Sequence, residues 1–247
     1  MRIVKNILAR FFALWAIVWF VVTMLIVLIP ILIISLWKEP KRIILLCNLF
    51  RVWMGFYLFI IGLRLKAKGK ENFQAGQSYI VVCNHNSLID IPICTPQIPG
   101  PNKTIAKIEM ARIPLFGIIY KLGSVLVDRK NEDSRRESYI KMKEVLDKGM
   151  HMCIYPEGTR NKTDKPLQPF HDGAFRLAAD TSHSILPAIL FNTSMALPNN
   201  KNFYYWPTKV EMHFLSPIEV NSQTKEQLKE KTFKIMSEYY QQHRINN

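Results

Sequence analysis

Acidic side chains are almost missing from the first 70 residues. Glu39 stands alone there against eleven lysines and arginines. The 247-residue chain carries a formal charge of +14, and the rest of it holds 22 basic and 18 acidic side chains, so most of the excess lies in front. That excess flanks apolar segments and does not coat a folded domain. Basic flanks of this kind suit an anionic membrane surface. A nucleic-acid binder carries its basic stripe on the folded domain, so no nucleic-acid partner is expected. Cysteine is also sparse. Cys47, Cys83, Cys94 and Cys153 have no paired spacing, which argues against a disulfide framework and a zinc site and predicts buried free thiols. No Gly-x-Ser-x-Gly elbow occurs, which weakens a hydrolase reading. No small-x-small cleavage site follows the first apolar segment, so that segment is expected to be retained. There is no internal repeat and no low-complexity linker.

What is present begins with two long apolar stretches. Residues 11–37 run without a charge, longer than the roughly 20 residues that cross a bilayer, with Pro30 expected to kink them. Residues 43–63 follow after Lys38-Glu39-Pro40-Lys41-Arg42 and carry Arg51 near their middle. The two read as a helix–loop–helix membrane anchor over residues 1–64. Its topology is open. Basic residues on both sides of the first segment fit a hairpin dipping into one leaflet, with Arg51 snorkelling, as well as a spanning helix.

From residue 65 the pattern alternates. Strand-like runs fall at 65–69, 79–83, 104–106, 125–127, 152–155, 185–191 and 209–215. Helical stretches fall between them: 107–121, broken at Pro114, then 132–148, 173–180 and 224–241. The last opens with a Thr224-x-x-Gln227 capping box. Strands alternating with helices predict an α/β domain over residues 65–247, a mostly parallel sheet flanked by helices.

The polar break after the 79–83 run reads Cys83-Asn84-His85-Asn86-Ser87-Leu88-Ile89-Asp90. Histidine titrates nearest neutral pH, which suits proton transfer. Five residues on one helix would put His85 and Asp90 on different faces. They can meet if His85 sits in the loop and Asp90 in the first helical turn. Ser87 as N-cap, with Asp90 at capping-box spacing, would turn the carboxylate back to the loop. Asp90 would then orient the imidazole and leave its other nitrogen as a base. The same residues also fit a helix cap beside an ordinary loop histidine.

Two further stretches start at strand ends. Tyr155-Pro156-Glu157-Gly158-Thr159-Arg160 would present Arg160, whose planar fork suits a phosphate, with Glu157 bonded to a substrate hydroxyl or to Arg160. It also fits a surface turn with an ion pair. Lys107, read at the start of a helix, could attract an anion together with the helix N-terminus, or could be a solvated lysine. Residues 186–189, Leu-Pro-Ala-Ile, read as core.

Together, in this order, residues 84–90, 107–117, 155–160 and 186–189 resemble the glycerophospholipid acyltransferases of the lysophosphatidic acid acyltransferase type. The resemblance covers roughly residues 65–220, and its first and third blocks together are specific. It implies that His85 is the general base and Asp90 its partner. It implies that Lys107, Glu157, Gly158, Thr159 and Arg160 hold the glycerol phosphate. His171-Asp172 before Gly173-Ala174 departs from the family's basic residue there.

The implied reaction moves an acyl chain from acyl-CoA or acyl-ACP to the 2-hydroxyl of 1-acyl-sn-glycerol 3-phosphate, giving phosphatidic acid. The acceptor is the nucleophile, so no acyl-enzyme is needed, and no bound cofactor or metal is implied. The expected partners are the lysophospholipid, the acyl carrier and membrane lipids. The expected location is a bacterial cytoplasmic membrane, catalytic domain inside. Alternatives are the same chemistry on glycerol 3-phosphate, another lysophospholipid or a lyso-aminolipid, and a non-catalytic lipid-binding protein.

Overall fold

The computed structural model describes residues 2–163 and 165–243. Two helices come first, α1 (Arg2–Ile34) and α2 (Lys41–Ile60), with Pro30 inside α1. At 1.5 Å per residue the 33-residue α1 is about 50 Å long, more than a bilayer's hydrocarbon core. Ala9, Ala13 and Ala16 are buried, and the Tyr57 hydroxyl donates to the Ala16 carbonyl at 3.2 Å. Trp53 Nε1 donates to Thr23 Oγ1 at 3.0 Å. The opposite face of α1 is bare and apolar, with Phe11, Ile26 and Ile29 each about two-thirds exposed. An apolar surface of that extent is suited to lipid.

Arg51 corrects one expectation. It does not snorkel away from the protein. Its guanidinium donates to the carbonyls of Pro96, Ile98 and Gly100 at 3.2, 2.9 and 2.7 Å. The charge near the middle of α2 is thereby spent on joining the helix pair to the domain behind it. Glu39, in the α1–α2 loop, makes a second junction through Lys103 and Lys148.

The domain is a seven-stranded sheet in the order β1-β7-β6-β2-β5-β3-β4. The strands are β1 (Arg64–Lys68), β2 (Ile80–Cys83), β3 (Asn102–Lys107), β4 (Ser124–Val127), β5 (His151–Ile154), β6 (Ile185–Phe191) and β7 (Lys209–Phe214). β6, β2, β5, β3 and β4 are mutually parallel. β7 runs antiparallel to β6, and the edge strand β1 runs parallel to β7. Every residue of β2, β5 and β6 is buried, as a sheet covered on both faces requires. The helices between strands are α3 (Asp90–Gln97), α4 (Phe116–Gly123), α5 (Glu132–Asp147), α6 (Gly173–Thr181) and α7 (Thr193–Ala196), with α8 (Lys225–His243) at the end.

Local signals explain several boundaries. α5 starts where Asn131 Oδ1 accepts the Ser134 amide, and Gly149, at φ +74°, follows its end. The expected Thr224–Gln227 capping box is formed in both directions, at 2.9 and 3.3 Å. The 107–121 stretch differs from the expected interrupted helix. Lys107 closes β3, Ile108–Arg112 is a 3₁₀ turn, and α4 begins only beyond Pro114. A proline disfavours α geometry in the residue before it, and Leu115, at φ +61°, then turns the chain into α4.

The connections set where a site can form. From β2 the chain crosses to β3 on one side, and from β5 it crosses to β6 on the other. β2 and β5 are neighbours, so the crevice beyond their carboxyl ends is where the winding reverses. Open α/β sheets bind ligands there.

Candidate active site

The loops that follow β2 and β5 meet in that crevice. His85 Nδ1 lies 2.8 Å from Asp90 Oδ2. Asp90 is fully buried and is the first residue of α3. The same oxygen accepts the backbone amides of Asn86 and Ser87 at 2.6 and 2.7 Å. The carboxylate is therefore fixed by the loop it serves, which in turn fixes the imidazole. Half of the expected capping box is present: Asp90 reaches back to the Ser87 amide. The other half is not. Ser87 Oγ donates instead to the Leu197 carbonyl at 2.7 Å, and no side chain caps α3.

Asn84 explains how the chain leaves the sheet without breaking it. Its side-chain amide donates to the Leu190 carbonyl at 3.0 Å and accepts the Leu190 amide at 2.7 Å. It thus stands in for a strand residue while the backbone turns away. The Tyr155 ring lies against His85, with centroids 4.6 Å apart.

Glu157 is not bonded to Arg160, one of its two expected partners. Oε1 accepts the His85 amide and Oε2 the Gln168 amide, each at 2.8 Å, and the residue is 2% exposed. Asn161 N–H donates to the His85 carbonyl at 2.6 Å. Both backbone groups of His85 are thus held by the loop after β5. Burial pushes the Glu157 carboxyl up to about 7, against the opposing pull of the two amides. Gly158 is at φ +69°, a backbone conformation that strains any residue with a Cβ, so this turn favours glycine. Arg129 donates to the Gly158 carbonyl and braces the same turn.

The two cationic residues differ in setting. Arg160 is half-buried, with Nη1 2.9 Å from Asn199 Oδ1. Lys107 is exposed at the carboxyl end of β3, at the head of a 3₁₀ turn and not of an α-helix. Thr159 is exposed beside Arg160. His171 and Asp172 lie on the surface, where Asp172 pairs with Lys229 at 2.6 Å. All four cysteines are buried and free. Among the described residues, no cluster of three or more His, Cys, Asp or Glu side chains is placed to hold a metal ion.

An apolar cavity of about 590 Å³ opens beside this loop. Ala13, Ala16, Phe20 and Trp53 of the two leading helices line one wall, and Leu88, Ile89, Met110, Leu197 and Phe203 line the domain side. Leu88 and Ile89 lie between the imidazole and its carboxylate partner in sequence. Hydrocarbon space therefore begins where the His85 loop ends.

The family model described as Acyltransferase matches residues 64–190, which contain His85, Asp90, Lys107, Glu157, Gly158, Thr159 and Arg160. The chain belongs to the acyltransferase family. A 1-acyl-sn-glycerol-3-phosphate acyltransferase of Cocos nucifera is 34% identical over 173 residues, covering 69% of this chain and 55% of the relative. That of Escherichia coli K12 is 27% identical over 198 residues, covering 78% of this chain and 76% of the relative. The chain thus spans about half the length of the first and three quarters of the second. The crystal structure of a 1-acyl-sn-glycerophosphate acyltransferase from Thermotoga maritima superposes with a TM-score of 0.81 over 100% of both chains, at 22% identity. At that identity the likeness shows the fold. It extends to the apolar helix pair of this acyltransferase-family chain.

Sequence reading missed the residues that hold the site from behind. Asn84 was read only as part of a motif, and Asn199 and the Gln168 amide were not read at all. A single asparagine in a loop has no period, and a backbone amide has no sequence signal.

Proposed function

We propose that this chain transfers an acyl group from a thioester, acyl-CoA or acyl-ACP, to the 2-hydroxyl of 1-acyl-sn-glycerol 3-phosphate, forming phosphatidic acid. The observation that carries this is the His85–Asp90 pair in a loop whose Leu88 and Ile89 line an apolar cavity, with the Arg160 guanidinium in the facing loop after β5. In this reading Asp90 holds the Nδ1 proton and leaves Nε2 to take the acceptor's hydroxyl proton. The resulting alkoxide attacks the thioester carbon. The thiolate leaves and takes up the proton from His85. Backbone N–H groups would hold the tetrahedral oxyanion. Arg160, assisted by Lys107, binds the phosphate, while Glu157 and Gly158 act through the backbone and shape the loop. The cavity takes an acyl chain; about 590 Å³ is within the usual range of small-molecule sites.

The helix pair supports placing the reaction at a membrane, where acceptor and product both reside. We assign the chain to the cytoplasmic face of a bacterial membrane, where both thioester donors are made. The names of the relatives favour the phosphate-bearing acceptor over the other lysolipids.

The test is acyl transfer from labelled acyl-CoA and, in parallel, acyl-ACP to lysophosphatidic acid in detergent. Wild type, His85→Ala and Arg160→Ala are compared. The reading expects His85→Ala to abolish transfer and Arg160→Ala to raise the acceptor KM. Full activity in His85→Ala would remove the general-base role. Transfer to glycerol 3-phosphate in preference to the lysolipid would replace the acceptor.

A further inference from the structure

Asn199 lies outside every motif that the sequence displays, yet its side chain joins three parts of the site. Nδ2 donates to the Asn86 carbonyl at 2.7 Å and to the Asn161 carbonyl at 3.1 Å. Oδ1 accepts Arg160 Nη1 at 2.9 Å. One planar group thus ties the loop after β2 to the loop after β5 and holds the guanidinium between them. Only an amide of this length can do so. A carboxylate has no N–H for the two carbonyls, and a hydroxyl has one donor where two are used.

The segment carrying Asn199 is itself fixed at both ends. On the near side, Leu197 accepts Ser87 Oγ at 2.7 Å. On the far side, the Tyr205 amide donates to the Ala9 carbonyl of α1 at 3.1 Å, and the Tyr205 hydroxyl donates to the Ile61 carbonyl beyond α2 at 3.1 Å. The Trp206 ring meets Phe12 edge-on at 5.8 Å, and Lys5 Nζ lies 4.8 Å from its centroid. The strap therefore runs from the His85 loop to the α1–α2 helix pair, with Asn199 close to its His85-loop end.

We propose that Asn199 is the positioning residue of the phosphate subsite. It sets the direction of Arg160 relative to His85, and the strap fixes that setting to the seating of α1. The proposal rests on the reading of Arg160 as the phosphate ligand. A free arginine samples many rotamers, and a guanidinium held at one nitrogen keeps its remaining donors for the ligand. The His85–Asp90 pair meets Asn199 only indirectly: Asn199 bonds the Asn86 and Asn161 carbonyls, while Asp90 itself is held by the Asn86 and Ser87 amides. Loss of Asn199 should therefore weaken acceptor binding more than it slows proton transfer.

The experiment is steady-state acyl transfer by the full chain in detergent, with lysophosphatidic acid and acyl-CoA each varied. It uses wild type, Asn199→Ala, Asn199→Asp, Arg160→Ala and the Asn199→Ala/Arg160→Ala double variant. Asn199→Ala should raise the acceptor KM about tenfold, the worth of one charge-assisted hydrogen bond, with a smaller change in kcat and donor KM nearly unchanged. Asn199→Asp, nearly the same shape, should also raise it, since its carboxylate faces two carbonyls and holds the guanidinium more tightly. In the Arg160→Ala background, Asn199→Ala should add almost nothing. A fall in kcat at constant acceptor KM, or a full additional loss on top of Arg160→Ala, would assign Asn199 a general structural role and overturn the proposal. If Arg160→Ala leaves the acceptor KM unchanged, the phosphate reading fails first, and this inference falls with it.

Discussion

Replacing Asp90 by asparagine tests the proposed chemistry most directly. The side chain keeps its shape and loses its charge. In the structure one carboxylate oxygen faces His85 Nδ1 at 2.8 Å in a site where Asp90 is fully buried. When the imidazole takes the acceptor's proton, a positive charge develops 2.8 Å from that oxygen. At an effective dielectric of about 20 such a pair interacts by about 6 kcal/mol. The Asn86 and Ser87 amides share the same oxygen and draw off part of that, so the loss on neutralisation is set at about 4 kcal/mol. At 1.36 kcal/mol per decade this is a fall in kcat of about 10³-fold. The assay is single-turnover acyl transfer with saturating lysophosphatidic acid, so that binding does not enter. The acceptor KM should stay within a few-fold, because Arg160 is held elsewhere. The unpartnered Oδ1 position would receive a buried amide, so a thermal melt must accompany the kinetics. A folded Asp90→Asn variant with kcat within tenfold of wild type would refute the argument, since it would leave the buried charge without a role.

Three other outcomes follow from the geometry. Glu157 is held near pH 7 in the folded chain against an ordinary 4.5, so below about 4.5 its contribution to stability is fully present, and it is lost as pH rises towards 7. Denaturation midpoints across pH 5–8 should fall with rising pH in wild type and be flatter in Glu157→Gln, and equal slopes would remove Glu157 as the cause. Arg51→Met strips the donor from three carbonyls and should loosen the helix pair from the domain by about 2–3 kcal/mol, read as earlier protease cleavage near residues 61–63; unchanged cleavage would show that the junction holds without it. Ala16→Trp would fill part of the cavity between α1 and the domain and should move donor preference to shorter acyl chains in a competition of thioesters, whereas an unshifted profile would place the chain elsewhere.

Much of the fold was legible because its signals are local. The buried runs at Ile80–Cys83, 152–154 and Ile185–Phe191 are continuous apolar segments bounded by polar breaks, and such runs read as covered strands. The His85–Asp90 pairing was legible for a similar reason: five residues between a strand end and a helix start leave few paths. Lys107 was read at a strand end, where it lies, but ahead of an α-helix, because the apolar spacing of 107–121 imitates one while Pro114 and the left-handed Leu115 divide it. Of the two partners expected for Glu157, a substrate hydroxyl or Arg160, the structure shows no bond to Arg160. Burial, which no local pattern gives, turned it towards two backbone amides.

The sequence alone determined the fold class of this protein, its long apolar front and the residues from which the proposed chemistry is read. Composition and periodicity act over a few turns of chain, and hydrophobic burial follows from them almost regardless of context. Tertiary structure decided what those residues do to one another. It brought β2 and β5 side by side, gave both backbone groups of His85 to the 157–161 loop, and turned Arg51 onto the carbonyls of Pro96, Ile98 and Gly100. It also delivered Asn199 to Arg160 across 39 residues of chain. Hydrogen bonds are short-ranged and directional, so their partners are chosen only after the sheet order is set.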